Sequence, residues 1–270
     1  MRIGRREFDT ENHTYIMGIL NVTPDSFSDG GKYNRVDQAL FHVEEMVGEG
    51  MDILDIGGES TRPGYSQVEW EEEASRVLPV IRAVRERFEV PISLDTCKSR
   101  VAEEGLQAGA DLINDIWGLK SDPGMGAVIA RLKAPCVLMH NRKEALYEDF
   151  LKDVTEDLRK TLSLADQAGI DREKIILDPG IGFGKTREQN LQMLHSLESL
   201  KELGLPVLLG ASRKSVIGLT LDQPVTERLE GTLVTTALAV WKGCAFVRVH
   251  DIKENVRAVK MAEAVLKAGA

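Results

Sequence analysis

The sequence predicts an α/β protein built as a single (β/α)8 TIM barrel, and three observations predict it. Eight short apolar runs alternate with longer amphipathic stretches along 270 residues, which matches eight strand–helix units in about 250 residues. The runs are near-continuous and rich in Leu, Ile and Val, as strands covered on both faces are. Each run leads into a segment with polar or charged residues, while the run starts carry mostly proline or helix-closing residues. In this fold chemistry gathers at the C-terminal strand ends. An open doubly wound sheet is the runner-up, and eight repeats favour closure.

Residues 1–14 fit neither element type and are predicted to form a short hairpin over the barrel bottom, with residues 15–270 forming the barrel. The apolar runs are 15–20, 52–56, 91–94, 111–113, 135–139, 174–177, 206–209 and 244–249. The helical pattern between them starts at 37–49, where Ala39, Leu40, Val43, Met46 and Val47 share one stripe. It recurs at 68–88, 99–108, 124–132, 148–168, 187–203, 226–241 and 253–268. Gly50, Gly109, Gly169, Gly204 and Gly243 each stand where a helix must stop before the next strand, the position that favours a left-handed residue.

Composition is that of a globular domain, with 43% hydrophobic and 29% charged residues. The formal net charge of -9 argues against nucleic acid or an anionic membrane as the main partner. It leaves room for an anionic substrate at a local cationic cluster. Cys97, Cys136 and Cys244 form no CxxC pair, and their odd number makes no complete disulfide framework. They are read as small buried residues of a reducing compartment. The N-terminus lacks an apolar leader core, and no run reaches ~18 apolar residues. A cytoplasmic protein is expected.

The strand ends carry the polar residues. Asn21 opens a polar, glycine-containing loop after the first run, and Gly57-Gly-Glu-Ser-Thr-Arg-Pro-Gly64 follows the second. Such long loops are candidates for mobile lids. Later ends read Asp95-Thr96, Asn114-Asp115, Met139-His140-Asn141, Asp178-Pro-Gly-Ile-Gly-Phe-Gly-Lys185, Gly210-Ala-Ser-Arg-Lys-Ser215 and Arg248-Val-His250-Asp251. Asp95, Asn114 and Asp178 suit a flat heterocycle rich in N–H donors, because a carboxylate accepts from an amino group and a ring N–H together. On an opposite wall, Arg213, Lys214, Arg248 and His250, with a helix starting near Ser212, would make an anion site. A heterocycle carrying a phosphate or diphosphate fits both walls. Asn21 is a candidate ligand for Mg2+ on that diphosphate, since this cation takes oxygen ligands together with substrate phosphates.

These motifs resemble those of the dihydropteroate synthases. Met17-Gly-Ile-Leu-Asn-Val-Thr-Pro-Asp-Ser-Phe-Ser-Asp-Gly30 resembles the family's first signature and Gly57–Gly64 its second. The blocks at Asp95, Asn114, Asp178, Ser212 and Arg248 follow in the family's order, so the resemblance covers essentially the whole chain. It implies the joining of 6-hydroxymethyl-7,8-dihydropterin diphosphate to p-aminobenzoate by an SN1-like displacement, without a covalent enzyme intermediate. Asp95, Asn114, Asp178 and Lys214 would hold the pterin, Met139 and Phe183 would line its pocket, and Gly210 would let the ring approach. Arg248 and His250, with Thr61, would hold the diphosphate, and Asn21 would ligate Mg2+. Thr61, Arg62, Pro63, Lys214 and Ser215 would shape the p-aminobenzoate site, with Phe27 from the first loop. Asp95, Lys214, Arg248 and His250 are the expected catalytic residues. The resemblance also implies a homodimer through late helices and inhibition by sulfonamides. One stretch departs from the family pattern: Met139-His-Asn-Arg-Lys-Glu144 stands where many members read Met-His-Met.

Plainer readings compete at several positions. Asp178 before Pro179-Gly180 also fits a turn start, and Thr96 fits a helix cap. Asp115 faces away from Asn114 along a strand and is read as a capping residue. Arg213 fits either the anion site or a solvated helix face. His13, His42, His140 and His195 are read as structural or exposed, and Trp70, Trp117 and Trp241 as packing. Two other functions share the pterin anchors: a non-catalytic pterin-binding paralogue, and a methyltetrahydrofolate-dependent methyltransferase. The first should have lost Asn21, Thr61, Arg248 or His250. The second needs neither the Thr-Arg-Pro-Gly loop nor Ser212-Arg-Lys-Ser215.

Overall fold

The computed structural model describes residues 1–23, 32–59 and 68–269. The chain opens with a two-stranded antiparallel hairpin, β1 (Arg2–Ile3) and β2 (Arg6–Glu7). Eight parallel strands follow: β3 (Tyr15–Asn21), β4 (Ile53–Gly57), β5 (Ile92–Asp95), β6 (Leu112–Asp115), β7 (Cys136–Met139), β8 (Ile175–Asp178), β9 (Leu208–Leu209) and β10 (Phe246–Val249). Their order is β8-β7-β6-β5-β4-β3-β10-β9. A parallel bridge between Leu177 and Val207 joins the two ends and closes the barrel.

The helices are α1 (Lys32–Glu49), α2 (Trp70–Arg87), α3 (Ser99–Ala108), α4 (Met125–Leu132), α5 (Phe150–Ala168), α6 (Arg187–His195), α7 (Ser215–Leu221), α8 (Leu229–Trp241) and α9 (Ile252–Ala268). The expected helix 187–203 is α6 followed by a 3-10 segment, Leu197–Leu203, after a break at Ser196. The helix expected near Ser212 begins only at Ser215. Arg213 is left-handed at φ 56° and Lys214 extended, so neither continues a helix backwards. Gly50, Gly109, Gly169, Gly204 and Gly243 all have positive φ, between 67° and 118°, as helix-closing glycines require.

Strand residues point alternately inward and outward. Outward ones such as Ile16, Leu54, Leu94, Ile113, Leu138, Leu177 and Val247 pack under the helices. Inward ones form two layers. Tyr15, Met17, Ile53, Leu112, Val137, Ile176, Leu208 and Phe246 fill the N-terminal half, and Ile3 and Phe8 of the hairpin region pack onto them. Phe8 meets Tyr15 edge-on, with ring centroids 4.7 Å apart. One step further along the same strands the inward residues turn polar: Asp55, Ser93, Asp95, Asn114, Asp178 and Arg248. The apolar layer thus plugs one end and leaves the other for chemistry.

Candidate active site

Arg248 on β10 organises the polar layer. Its Nε donates to Asp55 Oδ2 at 2.6 Å and its Nη2 to Asp95 Oδ2 at 2.8 Å. Asp55, fully buried, also accepts from Ser93 Oγ at 2.5 Å and from Asn114 Nδ2 at 3.5 Å. Four strands therefore meet on one carboxylate and one guanidinium. The two carboxylates hold Arg248 charged, and burial pushes the Asp95 carboxyl up against the pull of Arg248. Asp95 Oδ1 is buried without a hydrogen-bond partner among the described residues. A buried acceptor left open in this way costs energy until a donor arrives.

Asp178, at the tip of β8, takes Gly180 N–H on Oδ1 at 2.7 Å. It thus starts a turn and still presents Oδ2 to the pocket. A Cβ on Gly210 would lie 3.6 Å from that Oδ2, 3.8 Å from Lys214 Nζ and 3.9 Å from the Arg248 Cβ. The missing side chain therefore keeps open the space that these three residues surround. Lys214 Nζ donates to the Ile181 carbonyl and lies 4.6 Å from the centre of the Phe183 ring. Burial lowers Lys214 to about 8, with Asp178 pulling the other way. Met139 is buried at the end of β7, and Phe183 is half-buried in the turn after β8. Ser215 is exposed at the first position of α7.

His250 and Ser212 are joined twice. His250 N–H donates to Ser212 Oγ at 3.2 Å, and Ser212 Oγ lies 2.9 Å from His250 Nδ1. A hydroxyl carries one hydrogen and two acceptor positions, so Ser212 serves Nδ1 in either tautomer of the ring. Arg213 turns away and pairs with Asp251, Nε to Oδ2 at 3.0 Å. Asp115 points away from the pocket as well, accepting from Trp117 N and Leu119 N at 2.9 and 2.7 Å.

The geometry corrects the picture of an acidic wall facing a cationic one. Arg248 and Lys214 are interleaved with Asp55, Asp95 and Asp178, because barrel closure sets β10 against β3 and brings its inward residue to the tips of β4 and β5. Asp95, Asn114, Asp178, Gly210, Lys214 and Arg248 come together in one cluster. Phe27, Thr61, Arg62 and Pro63 lie outside the described residues. Asp55 and Ser93 join the cluster without having been expected there, although each carries a signal, a polar residue within an otherwise apolar run.

No group of three or more His, Cys, Asp or Glu side chains among the described residues is arranged to hold a metal. Asn21, at the end of β3, offers a hard oxygen. Its Oδ1 and Asp95 Oδ2 lie 3.6 and 3.8 Å from the point that a Cβ on Gly57 would occupy. An oxygen donor at this strand tip suits a divalent cation that takes most of its ligands from substrate phosphates and water.

Barrel closure, a polar layer at the C-terminal strand ends and an unsatisfied buried carboxylate oxygen define a (β/α)8-barrel enzyme for a donor-rich ligand. Residues 17–250 match the family described as pterin binding enzyme. A dihydropteroate synthase of Clostridium beijerinckii is 56% identical over 268 residues, covering 99% of this chain and 100% of that protein. The dihydropteroate synthase structure from Clostridium difficile, solved in the presence of pteroic acid, superposes with a TM-score of 0.94 at 49% identity, covering 96% of this chain and 99% of that one. The Yersinia pestis dihydropteroate synthase in a sulfonamide complex gives a TM-score of 0.92 at 41% identity, covering 99% of each chain. This chain belongs to the pterin binding enzymes and, among them, to the dihydropteroate synthases.

Proposed function

We propose that this chain is a transferase that condenses 6-hydroxymethyl-7,8-dihydropterin diphosphate with p-aminobenzoate, giving 7,8-dihydropteroate and diphosphate. The observation that carries the reading is the unsatisfied Asp95 Oδ1 inside a cluster with Asn114, Asp178 and Lys214. The pterin's ring N–H and amino groups supply donors to Asp95 and Asp178, and the gap at Gly210 admits the ring.

The C–O bond between the exocyclic methylene and the diphosphate breaks with its electrons leaving on oxygen. Buried carboxylates on Asp95 and Asp178 favour the positive charge that develops on the pterin. His250 and Arg248 bind the departing diphosphate. Mg2+ held by Asn21 and diphosphate oxygens would supply charge neutralisation on the leaving group. The arylamine lone pair then forms the C–N bond and the nitrogen loses its proton. Met139 and Phe183 line the pterin pocket. Lys214 and Ser215 border the arylamine with Phe27, Thr61, Arg62 and Pro63 from the loops. Phe183, its ring centre 4.6 Å from Lys214 Nζ, reaches the arylamine side as well.

Diphosphate release in the presence of Mg2+, with and without p-aminobenzoate, tests the reading. Release that requires p-aminobenzoate, and that falls at least roughly tenfold in Asp178→Asn and Lys214→Ala, supports it. Pterin binding without release returns the chain to the pterin-binding paralogue. Chelation should stop release while the pterin still binds, and Asn21→Leu should raise the Mg2+ concentration needed. Sulfonamides should compete with p-aminobenzoate, and turnover unaffected by saturating sulfonamide would contradict that.

No helix among the described residues is long and apolar enough to cross a membrane. Cys97, Cys136 and Cys244 are free thiols, which fits a reducing compartment, and a cytoplasmic location is proposed on that ground. A homodimer is proposed through α7, α8 and α9. Val234, Trp241 and Met261 are 68%, 54% and 65% exposed on these helices, and Leu219, Leu221 and Val265 add to the same late segment. Light scattering should give a dimer mass that Val234→Asp lowers to that of one chain.

A further inference from the structure

Lys185 ends the turn after β8, and its ammonium is fully occupied. Nζ lies 2.8 Å from His140 Nδ1, 3.0 Å from the Gly180 carbonyl and 3.1 Å from the Phe183 carbonyl. Three N–H donors meet three acceptors, a match that a neutral amine with two hydrogens cannot make. His140 is fully buried, and burial lowers it to about 4. It therefore stays neutral, with Nδ1 accepting and Nε2 protonated. Nε2 faces Asp157 Oδ2 at 3.4 Å, and Asp157 in turn takes Arg142 Nε at 2.6 Å.

The turn held in this way touches the substrate site at three points. Gly180 N–H binds Asp178, the Ile181 carbonyl receives Lys214 Nζ, and the Phe183 ring lies beside that same Nζ. The loop after β7 braces the turn from outside, with Tyr147 O–H donating to the Gly184 carbonyl at 2.7 Å. A Cβ on Gly180 would sit 1.9 Å from the His140 carbonyl oxygen and one on Gly184 2.3 Å from the Arg142 carbonyl oxygen. The backbone of the turn therefore lies directly against that loop.

We propose that Lys185 and His140 are a positioning pair for the arylamine half of the site: the Lys185 ammonium, seated on His140 Nδ1 and two turn carbonyls, sets where Phe183 and Lys214 meet p-aminobenzoate. The inference rests on the reading that Phe183 and Lys214 border that substrate. Other charged groups around Lys185 are Asp178, Lys214, Arg142 and Lys120. Burial opposes the ammonium most and these three cations add to it, while Asp178 and the three acceptors on Nζ favour it.

The test compares Lys185→Met, His140→Leu and His140→Gln in the full-length enzyme. Lys185→Met should raise the KM for p-aminobenzoate roughly tenfold, the loss expected for one hydrogen bond to a charged group, with kcat changed by less than about threefold. His140→Leu should behave alike, and His140→Gln, which restores an acceptor, should recover most of the loss. Amide hydrogen exchange should quicken in residues 179–186 of Lys185→Met and stay unchanged in the barrel strands. Unchanged KM in Lys185→Met overturns the proposal. So does a fall in kcat alone, or exchange that quickens across the whole barrel with no rescue by His140→Gln. A wild-type enzyme that releases no diphosphate would sink the reaction itself, and exchange in residues 179–186 would still decide whether Lys185 holds the turn.

Discussion

Asp55 and Arg248, 193 positions apart in the chain, share a 2.6 Å hydrogen bond inside the barrel. Asp55 is fully buried and the Arg248 side chain 17% exposed, so water screens the pair little. Such pairs couple strongly, and removing one partner strands the other charge. Urea denaturation of Asp55→Asn, Arg248→Gln and the double variant should give a coupling energy of about 1.5 kcal/mol or more. Additive single effects would show that the contact contributes nothing of its own. Asp55→Asn should also slow turnover roughly tenfold by loosening the guanidinium that faces the leaving group.

Gly210→Ala should separate binding from stability. Its Cβ would make ordinary contacts at 3.6 to 3.9 Å with Asp178, Lys214 and Arg248, so the fold has room for it. Stability should stay within about 0.5 kcal/mol of the parent. The pterin, which needs the same space, should bind at least roughly tenfold more weakly. Pterin fluorescence titration beside a urea curve measures both, and parallel losses would show that Gly210 supports the fold instead.

Gly180→Ala should be far more costly than Gly169→Ala. Both glycines have positive φ, 70° and 80°, so each substitution carries the left-handed penalty of about 1–2 kcal/mol. Gly169 has open space around a new Cβ, whereas Gly180 would drive it to 1.9 Å from the His140 carbonyl oxygen. Overpacking adds about 1–3 kcal/mol there. Equal urea midpoints for the two variants would contradict this account.

Much of the fold and site is legible in the sequence, for identifiable reasons. Glycine at 50, 109, 169, 204 and 243 marks helix ends because a left-handed residue closes them, and all five have positive φ. Polar residues at the ends of β5, β6 and β8 point to the site because a barrel buries everything else on those strands. Asp55 escapes notice because one acid inside an apolar run looks like part of the strand. The proximity of Arg248 to Asp55 and Asp95 depends on barrel closure, which no local pattern encodes. The link between His140 and Lys185 spans 45 positions, and nothing nearby in the chain announces it. Helix α7 has seven residues, too few for a periodic stripe.

Activity and stability should move in opposite directions between pH 7 and 9. Burial lowers Lys185 to about 7 and Lys214 to about 8, from 10.5. Across that window the unfolded chain binds more protons at these lysines than the folded one. The free energy of unfolding therefore rises with pH. Below about pH 7 the buried carboxylic acids and His140 take over, and above about pH 9 the thiols of Cys97 and Cys244, raised by burial to about 12, reverse the slope. Catalysis needs the Lys214 ammonium as a donor, so turnover should fall to about half near pH 8 and keep falling. Lys214→Met should remove that limb and flatten part of the stability rise. Urea midpoints and initial rates in the same buffers, every half unit or so, would show both trends. Stability and activity that both stay level between pH 7 and 9 would mean that both lysines keep their ordinary basicity in the folded protein.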